Sequence, residues 1–491
     1  MQLMVITRPD FFKGEAMAIY QLMRAGLTCL HIRKPDSTEE QVKKLLKSIP
    51  GQYHDRIVLH EHYGLATKMN LKGIHVTGHT EEYVLNRRFD SHPKFEVSAS
   101  VHSLEELEKR YAHYCYVFLS PIFDSTSKEG YKSAFTPDQL FQSHNQLVLD
   151  GSVIALGGVT ADRVASLRSQ GFGGVAVLGD VWNYFGKEEF IPHFLDLLKA
   201  VNTPPAVLTI AGSDCSGGAG IQADIKTISS LGAYAASVVT AVTAQNTLGV
   251  QESWPMEAEA VRQQLKSVLD DLPIGAIKIG MVPNAAVAQA IAEVLESRPD
   301  LPVVCDPVMV STSGRTLMDS KALQIMKKKI FPRCMLITPN LPEASLLSGK
   351  SITDLAGMQK VAMALAKKYK TRVLLKGGHL DTKDKEPIHD VYAKAAWNEK
   401  IPAAKVQSSN LHGTGCTLSS AIATYLAQGK PVYLAVRYAK SYVTETIKAG
   451  RNLRLGHGNG PLWHFFKEND KDIDKKNINF ATEKPVTMIE I

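Results

Sequence analysis

The chain has 491 residues, of which 44% are apolar and 21% are charged, and its formal net charge is +7. This length favours two to four domains, and the ordinary composition excludes wholesale disorder and a fibrous repeat. Because the lysines are scattered rather than clustered, the charge does not predict nucleic-acid binding. No apolar stretch reaches the roughly 18 residues of a membrane span, and the start MQLMVITRPDFF does not resemble a secretory signal. A cytoplasmic protein without a membrane partner is therefore expected.

The first 185 residues contain eight short apolar runs that alternate with helical patterns. A strand buried on both faces is continuously apolar, and eight such strands separated by helices are typical of a (β/α)8 barrel. The sequence thus predicts an α/β fold that begins with a TIM barrel over residues 1–199. The predicted strands are Leu3–Ile6, Thr28–Ile32, Ile57–His60, Gly73–Val76, Phe95–Ser100, Cys115–Leu119, Val153–Leu156 and Gly174–Leu178.

Polar residues follow the predicted strands of this barrel, where the active site of such a fold lies. Glycines follow the last two strands, at Gly157, Gly158 and Gly179, and their backbone N–H groups predict a phosphate site. Taken singly, each histidine of the set is more simply interpreted as a structural one. The other polar segments are His31 to Lys34, His60 to His62, Ser100 to His102, and Ser120 to Lys128.

A domain boundary is predicted at residues 200–205, where Pro204 and Pro205 interrupt a helical pattern. Beyond it, strands again alternate with helices, which predicts a doubly wound α/β domain over residues 206–466. The mixed-charge residues 467–491 are predicted to form a solvated tail. The predicted strands are Ala206–Ile210, Ser237–Val242, Ala276–Ile279, Val303–Cys305, Met335–Ile337 and Val373–Leu375.

A glycine-rich segment, His412 to Thr417, opens the last long helical pattern of this second half. Free N–H groups and the dipole at a helix start favour an anion, so the segment predicts a phosphate site. Cys416 stands in the first turn, where the pKa of a thiol can be lowered toward neutrality. A plain helix-entry turn and a buried, inert cysteine are the alternatives.

Four other segments of the second half also follow predicted strands, where the ligand crevice of an α/β sheet is expected. Gln245 offers a side-chain amide, Asn340 and Glu343 offer oxygen ligands to magnesium, and Lys376 offers a cation to nucleotide phosphates. The segments are Gly212 to Gly220, Ala244 to Thr247, Thr338 to Glu343, and Lys376 to His379.

The motifs AGSDCSGGAGIQADIKT, TAVTAQNT, IKIGMV, DPVMV, TPNLPEA, KGGH and HGTGCTLSSAIA occur in this order. They resemble the hydroxymethylpyrimidine/phosphomethylpyrimidine kinases of thiamine biosynthesis, over about residues 206–466. The resemblance implies a ribokinase-like fold that phosphorylates an aminopyrimidine alcohol and then its phosphate, with ATP and Mg²⁺ as cofactors. A pyridoxal-type kinase is the alternative.

The same resemblance implies a role for each matching residue. Gln245 would hydrogen-bond the aminopyrimidine and Met281 would pack near its ring, while Cys416 would be the general base. The remaining implied roles are magnesium binding for Glu343 and Asn340, and an anion hole for Gly413 and Gly415.

The barrel segments resemble the thiamine phosphate synthase and thiazole tautomerase superfamily, over about residues 1–185. Arg33 and Lys128 match the synthase pattern, but Thr80 stands where the synthase has a magnesium-binding aspartate. His102, in SVHS, matches the tautomerase, in which a histidine moves a proton on thiazole carboxylate phosphate and Arg33 would hold the carboxylate. The sequence therefore favours a tautomerase-like domain that acts on thiazole phosphate. An active synthase and a non-catalytic phosphate-binding domain are the alternatives.

Six cysteines, at positions 29, 115, 215, 305, 334 and 416, contain no CxxC pair. This spacing predicts neither a disulfide framework nor a zinc site. The oligomeric state stays open, with a homo-oligomer as one alternative.

Overall fold

The computed structural model describes residues 1–76, 95–110, 114–124, 133, 135–136, 139–140, 151–310, 314–378, 380 and 387–466. Lys128, Thr80, His379 and the predicted tail at 467–491 lie outside these residues. In the described part of the chain, no helix is both long and apolar enough to cross a membrane.

The first half is a closed barrel of eight parallel strands in chain order, as predicted. The last strand pairs with the first, with Val177 opposite Val5, which closes the barrel. The strands are β1 (Gln2–Ile6), β2 (Cys29–Ile32), β3 (Ile57–Leu59), β4 (Gly73–Val76), β5 (Glu96–Val101), β6 (Tyr116–Leu119), β7 (Val153–Leu156) and β8 (Gly174–Val177).

Two apolar layers hold the barrel together. Met4, Val58, Phe118 and Ile154 fill its interior together with four other buried residues. A larger cluster packs the outer faces of the strands against the helices, so the strands are buried on both faces, as their continuous apolar runs predict. The helices are α1 (Glu15–Arg24), α2 (Glu39–Lys47), α3 (Gly64–Lys68), α4 (Leu104–Arg110), α5 (Val164–Ser169), α6 (Gly179–Trp182) and α7 (Phe190–Asn202).

The second half is an open nine-stranded sheet with the order β11-β10-β9-β12-β13-β14-β15-β16-β17. The six strands from β10 to β15 in this order run parallel, and β11, β16 and β17 join the edges antiparallel. The strands are β9 (Ala206–Asp214), β10 (Tyr234–Asn246), β11 (Gly249–Pro255), β12 (Ile274–Ile279), β13 (Val303–Cys305), β14 (Leu336–Ile337), β15 (Arg372–Leu375), β16 (Ile388–Lys394) and β17 (Trp397–Ala403).

Apolar clusters cover both faces of this sheet, so it is doubly wound, as predicted. Helix α14 begins at the glycine-rich segment and packs on one face beside the following helix. The helices are α8 (Gly220–Ser230), α9 (Ala258–Asp271), α10 (Ala285–Ser297), α11 (Ser320–Ile325), α12 (Leu341–Ser348), α13 (Leu355–Tyr369), α14 (Thr414–Ala427) and α15 (Val432–Gly450).

Barrel and sheet meet where α5 contacts β12 and α14. The buried Arg168, in α5, donates to the Val201 carbonyl at 2.7 Å near the end of α7. Gly429 follows α14 with a positive φ of 78°, and a Cβ there would collide with the Arg168 carbonyl oxygen. The end of α7 is therefore anchored to the barrel by a side chain of α5.

Candidate active sites

A cleft of about 980 Å³ lies at the carboxyl ends of the parallel strands in the second half. This volume is at the upper end of the usual range for ligand pockets, roughly 300–1,000 Å³, so the cleft has room for two small molecules. The structure brings together here all eight candidates of this half, which are Gln245, Met281, Asn340, Glu343, Lys376, Gly413, Gly415 and Cys416.

The start of α14 forms one wall of the cleft. Gly413 caps the helix in the left-handed region, with φ of 85°, and a Cβ there would collide with the Gly218 carbonyl. Since side chains rarely adopt this conformation, both the backbone and the space require glycine. The first N–H groups of α14 are thereby available to a phosphate, as the sequence predicts.

An ion pair of Lys376 and Asp306 lies against this helix start, with Nζ 2.6 Å from Oδ1. A Cβ on Gly415 would lie only 3.0 Å from Asp306 Oδ2. Burial alone would lower the pKa of Lys376, but Asp306 and Glu343 more than offset this effect and raise it. The ammonium group therefore stays charged beside the predicted phosphate position.

Asp306 is a site residue that the sequence analysis did not single out. The sequence did contain an indication of this residue, because Asp306 is the first residue of the DPVMV motif and directly follows β13. Its side chain is buried, and Thr338 donates to it at 3.0 Å.

The pKa of Cys416 differs from the sequence prediction. Burial raises the pKa of this thiol to about 11, the carboxylates of Asp224 and Asp306 act in the same direction, and Lys278 opposes them. The predicted lowering toward neutrality is therefore wrong, because desolvation and two nearby carboxylates outweigh the helix start.

Asn340 and Glu343 form a capping box at the start of α12. The Asn340 side chain accepts from the Glu343 N–H at 2.9 Å, and Glu343 Oε2 accepts from the Asn340 N–H at 2.7 Å. Burial raises the pKa of Glu343 to about 7, and Asp306 adds to this effect while Lys376 opposes it. Each side chain thus has a structural role at the helix start in addition to the metal role expected from the sequence.

Gln245 lines the same cleft, and its amide contacts His412. The Gln245 amide and a carboxylate oxygen of Asp214 lie 2.9 and 3.1 Å from the same ring nitrogen, Nε2 of His412. Because a carboxylate only accepts, this nitrogen must carry the proton when it hydrogen-bonds to Asp214. The amide of Gln245 must then turn its oxygen to His412 and its NH₂ group elsewhere in the cleft.

Asp214 and Met281 also line the cleft. Burial alone would raise the pKa of Asp214, but hydrogen bonds from His412, Ser216 and Ala219 more than offset it and lower the pKa. Met281 is buried, and a Cβ on Gly212 would lie 2.8 Å from its sulfur. Met281 and Gln245 thus line the same cleft.

At the barrel mouth, His102 lies directly after β5. Its Nδ1 is 3.0 Å from the Ser120 carbonyl oxygen. The Ser120 hydroxyl lies 3.2 Å from the same nitrogen. These contacts orient the exposed ring through Nδ1.

Arg33 lies at the end of β2 and is half-buried beside Glu61. Burial raises the pKa of Glu61, although the Lys34 N–H and the Arg33 charge oppose the effect. Lys34 itself is fully buried and binds Glu15 at 2.6 Å, so it is occupied by a structural ion pair.

Gly157 and Gly158 both have positive φ, at 99° and 61°. A Cβ on Gly158 would collide with the Asp124 carbonyl, and one on Gly157 would lie 3.0 Å from Pro121. Both positions therefore require glycine on steric grounds, because the segment after β6 approaches them closely. Gly179 begins the short helix α6, and Lys128 lies outside the described residues.

His31 does not lie at the barrel mouth, where the sequence analysis placed it. Its ring is fully buried inside the barrel, between His60 and Phe118. The cause is the pleat: successive side chains of β2 point to opposite faces of the strand, and His31 points inward while Leu30 and Ile32 pack in the outer core.

Fold and cleft are those of a ribokinase-like kinase joined to a TIM barrel. Residues 214–463 match the family described as phosphomethylpyrimidine kinase, and residues 3–181 match thiamine monophosphate synthase. The chain belongs to the phosphomethylpyrimidine kinase family and carries a thiamine phosphate synthase-like barrel.

Similar proteins have the same two parts or the kinase part alone. The chain is 39% identical over 377 residues to the thiamine biosynthesis bifunctional protein ThiED of Geobacter sulfurreducens, with 76% of this chain and 75% of that protein covered. It is 44% identical to the hydroxymethylpyrimidine/phosphomethylpyrimidine kinase of Streptomyces coelicolor, with 53% and 95% covered. The ADP complex of Bacillus subtilis pyridoxal kinase is 31% identical, with a TM-score of 0.50 and 53% and 98% covered.

Proposed function

We propose that the cleft of the second half phosphorylates hydroxymethylpyrimidine and then its monophosphate, with ATP as phosphoryl donor. The observation that carries this proposal is that two sets of groups line one cleft. Gln245 and Met281 offer an amide and an apolar wall, and the start of α14 with Lys376 offers anion contacts.

In this proposal, the residues at the start of α14 act on the phosphoryl group in transfer. The N–H groups after Gly413 and the ammonium of Lys376 stabilise negative charge that grows during transfer. Cys416 accepts the proton of the substrate hydroxyl. The oxygen donors Asn340 and Glu343 fit the preference of Mg²⁺ for oxygen, and the ion would neutralise phosphate charge there.

Replacing Gln245 with leucine is expected to raise the KM for hydroxymethylpyrimidine by about 10- to 100-fold, because a hydrogen bond to the ring edge is lost. The KM for ATP should not change, since Gln245 is assigned to the pyrimidine ring and not to a phosphate. Steady-state kinetics with each substrate varied checks this result. Gln263→Leu, on the exposed face of α9, is the matched control, and an unchanged pyrimidine KM in Gln245→Leu would refute the assignment.

The alternative substrate is pyridoxal, which the similarity to pyridoxal kinase supports. Turnover of hydroxymethylpyrimidine and of pyridoxal by the full chain, each with ATP, decides between them. A higher kcat/KM for pyridoxal would reverse the assignment.

For the barrel, we infer that the ligand is a thiazole phosphate, held at the strand ends near Gly158 and Gly179. The match to thiamine monophosphate synthase over residues 3–181 supports magnesium-dependent formation of thiamine phosphate. The exposed ring of His102 after β5 and the guanidinium of Arg33 after β2 support tautomerisation of thiazole carboxylate phosphate without a metal.

One experiment on the full chain separates these two reactions. The Cys416→Ala variant is supplied with pyrimidine diphosphate and thiazole phosphate, so that no kinase step is needed, and in a separate reaction with thiazole carboxylate phosphate alone. Thiamine phosphate formed only with Mg²⁺ would establish the synthase. Interconversion of the thiazole tautomers in the presence of a chelator would establish the tautomerase, and ligand binding without either reaction would indicate a phosphate-binding domain.

His102→Ala is expected to lower the tautomerisation rate by about 100-fold or more, because the group that moves the proton is lost. The rate is followed with the thiazole carboxylate phosphate as substrate. His54→Ala serves as the control, since His54 is half-buried on the outside of the barrel and bonds only to backbone carbonyls. Equal rates for both variants would exclude His102 as the proton carrier.

A further inference from the structure

Three histidines converge inside the barrel from neighbouring strands. His31 comes from β2, His60 directly follows β3, and His75 lies in β4. One potential ligand nitrogen of each ring lies within 4.8 Å of the other two. In the part of the chain that the structure describes, no other three histidine, cysteine or acidic side chains come together in this way.

These rings are polar groups in an apolar interior. His31 and His75 are 0% exposed, and His60 is 5% exposed. Burial is the main effect that lowers the pKa of all three, and that of His75 falls to about 3. At neutral pH the rings are therefore uncharged, and each keeps one nitrogen lone pair, which is the state that binds a metal.

The distances in this hydrogen-bonded cluster are close to those of a transition-metal site. Nδ1 of His31 and Nε2 of His60 lie 3.0 Å apart. In a tetrahedral site with Zn–N bonds of about 2.0–2.1 Å, two ligand nitrogens lie about 3.3 Å apart. A metal ion between them would thus need a shift of only a few tenths of an ångström in this pair, and the proton that the two nitrogens share would move to the other nitrogen of the ring that carries it.

The outer contacts also suit a metal site. The other nitrogen of His31, Nε2, lies 2.9 Å from the hydroxyl of Tyr116. The two nitrogens of His75 lie 2.9 and 2.8 Å from the hydroxyls of Ser98 and Ser100. In metal sites such partners fix the orientation of each ligating ring through its second nitrogen.

We propose that His31, His60 and His75 bind one Zn²⁺ ion inside the barrel. Imidazole nitrogens suit Zn²⁺, whereas Mg²⁺ prefers oxygen, so this site differs in kind from the magnesium site of the kinase cleft. Three protein ligands leave the fourth position of a tetrahedral ion open. His60, which directly follows β3, is the most exposed of the three ligands.

Binding requires one rearrangement. The His75 nitrogen must approach the other two from as far as 4.8 Å to about 3.3 Å, so the ring exchanges one serine hydroxyl for the metal. The second serine then accepts from the remaining N–H of the ring. No covalent step is involved, and one proton leaves only if the fourth ligand is hydroxide.

The test measures bound metal in the purified full chain. The protein is incubated with Zn²⁺, passed over a chelating resin, and analysed by mass spectrometry of the metal. One zinc per chain is expected for the wild type and for His54→Gln, the control on the outside of the same barrel. His31→Gln, which keeps an amide of similar size in the interior, is expected to lose the metal.

Kinase turnover and circular dichroism of the same samples show whether His31→Gln is folded, since His31 lies outside the kinase cleft. Should that variant fail to fold, the wild type loaded with Co²⁺ still decides the question. A tetrahedral Co²⁺ site with nitrogen ligands gives strong visible d–d absorption. The proposal would be overturned if the wild type held no more zinc than the His31→Gln variant. It would also be overturned if the wild type with Co²⁺ showed only the weak absorption of the hydrated ion.

Discussion

Replacing Cys416 with alanine is expected to lower the turnover of hydroxymethylpyrimidine by about 10²- to 10⁴-fold, the usual effect of losing a positioned general base. The thiol lies in the first turn of α14, beside the Lys376–Asp306 ion pair and the predicted phosphate position. Alanine preserves the helix and removes only the group that accepts the proton. Steady-state turnover at saturating ATP measures the effect.

The pH dependence provides a second test of this role. Because the pKa of Cys416 is raised to about 11, the thiol is almost entirely protonated at neutral pH. The thiolate fraction, and with it kcat/KM, should then rise about tenfold per pH unit below that pKa. The rise should be absent in Cys416→Asp, since a carboxylate at that position ionises at lower pH.

Cys115→Ala is the matched control, because this cysteine is exposed on the barrel. It should keep full kinase turnover. Full turnover in Cys416→Ala as well would show that the cysteine is inert, which is the alternative that the sequence leaves open.

Lys278→Met is expected to destabilise the kinase half by about 3–5 kcal/mol, because it leaves a buried carboxylate without its counter-charge. Lys278 Nζ lies 2.7 Å from Asp224 Oδ2, and both side chains are 0% exposed. Hydroxyls of Thr209 and Ser420 also donate to Asp224, but they do not neutralise it. Urea unfolding measures the loss.

The double variant Lys278→Met/Asp224→Leu should recover most of that stability, since an apolar pair needs no counter-charge. Lys448→Met, which breaks an exposed pair with Glu445 on α15, should change stability by less than about 1 kcal/mol. If Lys278→Met behaves like Lys448→Met, the buried pair does not stabilise the fold.

Most of the barrel could be predicted because its strands carry one strong signal. Val153–Leu156 and Gly73–Val76 have the predicted bounds, five other strands differ by one residue at one end, and β5 differs by one residue at both ends. The runs are mostly apolar, since both faces of a barrel strand are buried, although β2, β4 and β5 also contain polar residues. Gly and Ser residues at the strand ends then mark where the helices begin.

The edges of the second sheet could not be predicted in this way. In β11 most side chains are exposed, and in β17 polar residues interrupt the apolar ones. Such strands form through hydrogen bonds to a neighbour, with β16 and β17 paired from Ile388 to Ala403. Pairing between distant segments leaves little periodicity in the sequence, so these strands were missed.

In the candidate sites too, features that depend on contacts between distant segments could not be predicted for single residues. Motifs identified the residues around the kinase cleft, because each motif directly follows a strand. The pKa of Cys416 could not be inferred, since it depends first on burial and then on Asp224 and Asp306, which lie far away in sequence. The buried position of His31 likewise depends on which way the strand turns its side chains.

Gly429 meets a requirement that comes from the contact between the barrel and the kinase half. Its positive φ serves the end of α14, where the N–H donates to the Leu426 carbonyl at 2.8 Å, and asparagine can also serve such a turn. Contact with Arg168 adds a second requirement, that the residue have no side chain at all. A kinase that exists as a separate chain meets only the first requirement. Transplanting one into this fusion would therefore fail at a helix end remote from both catalytic centres, unless glycine already stood there.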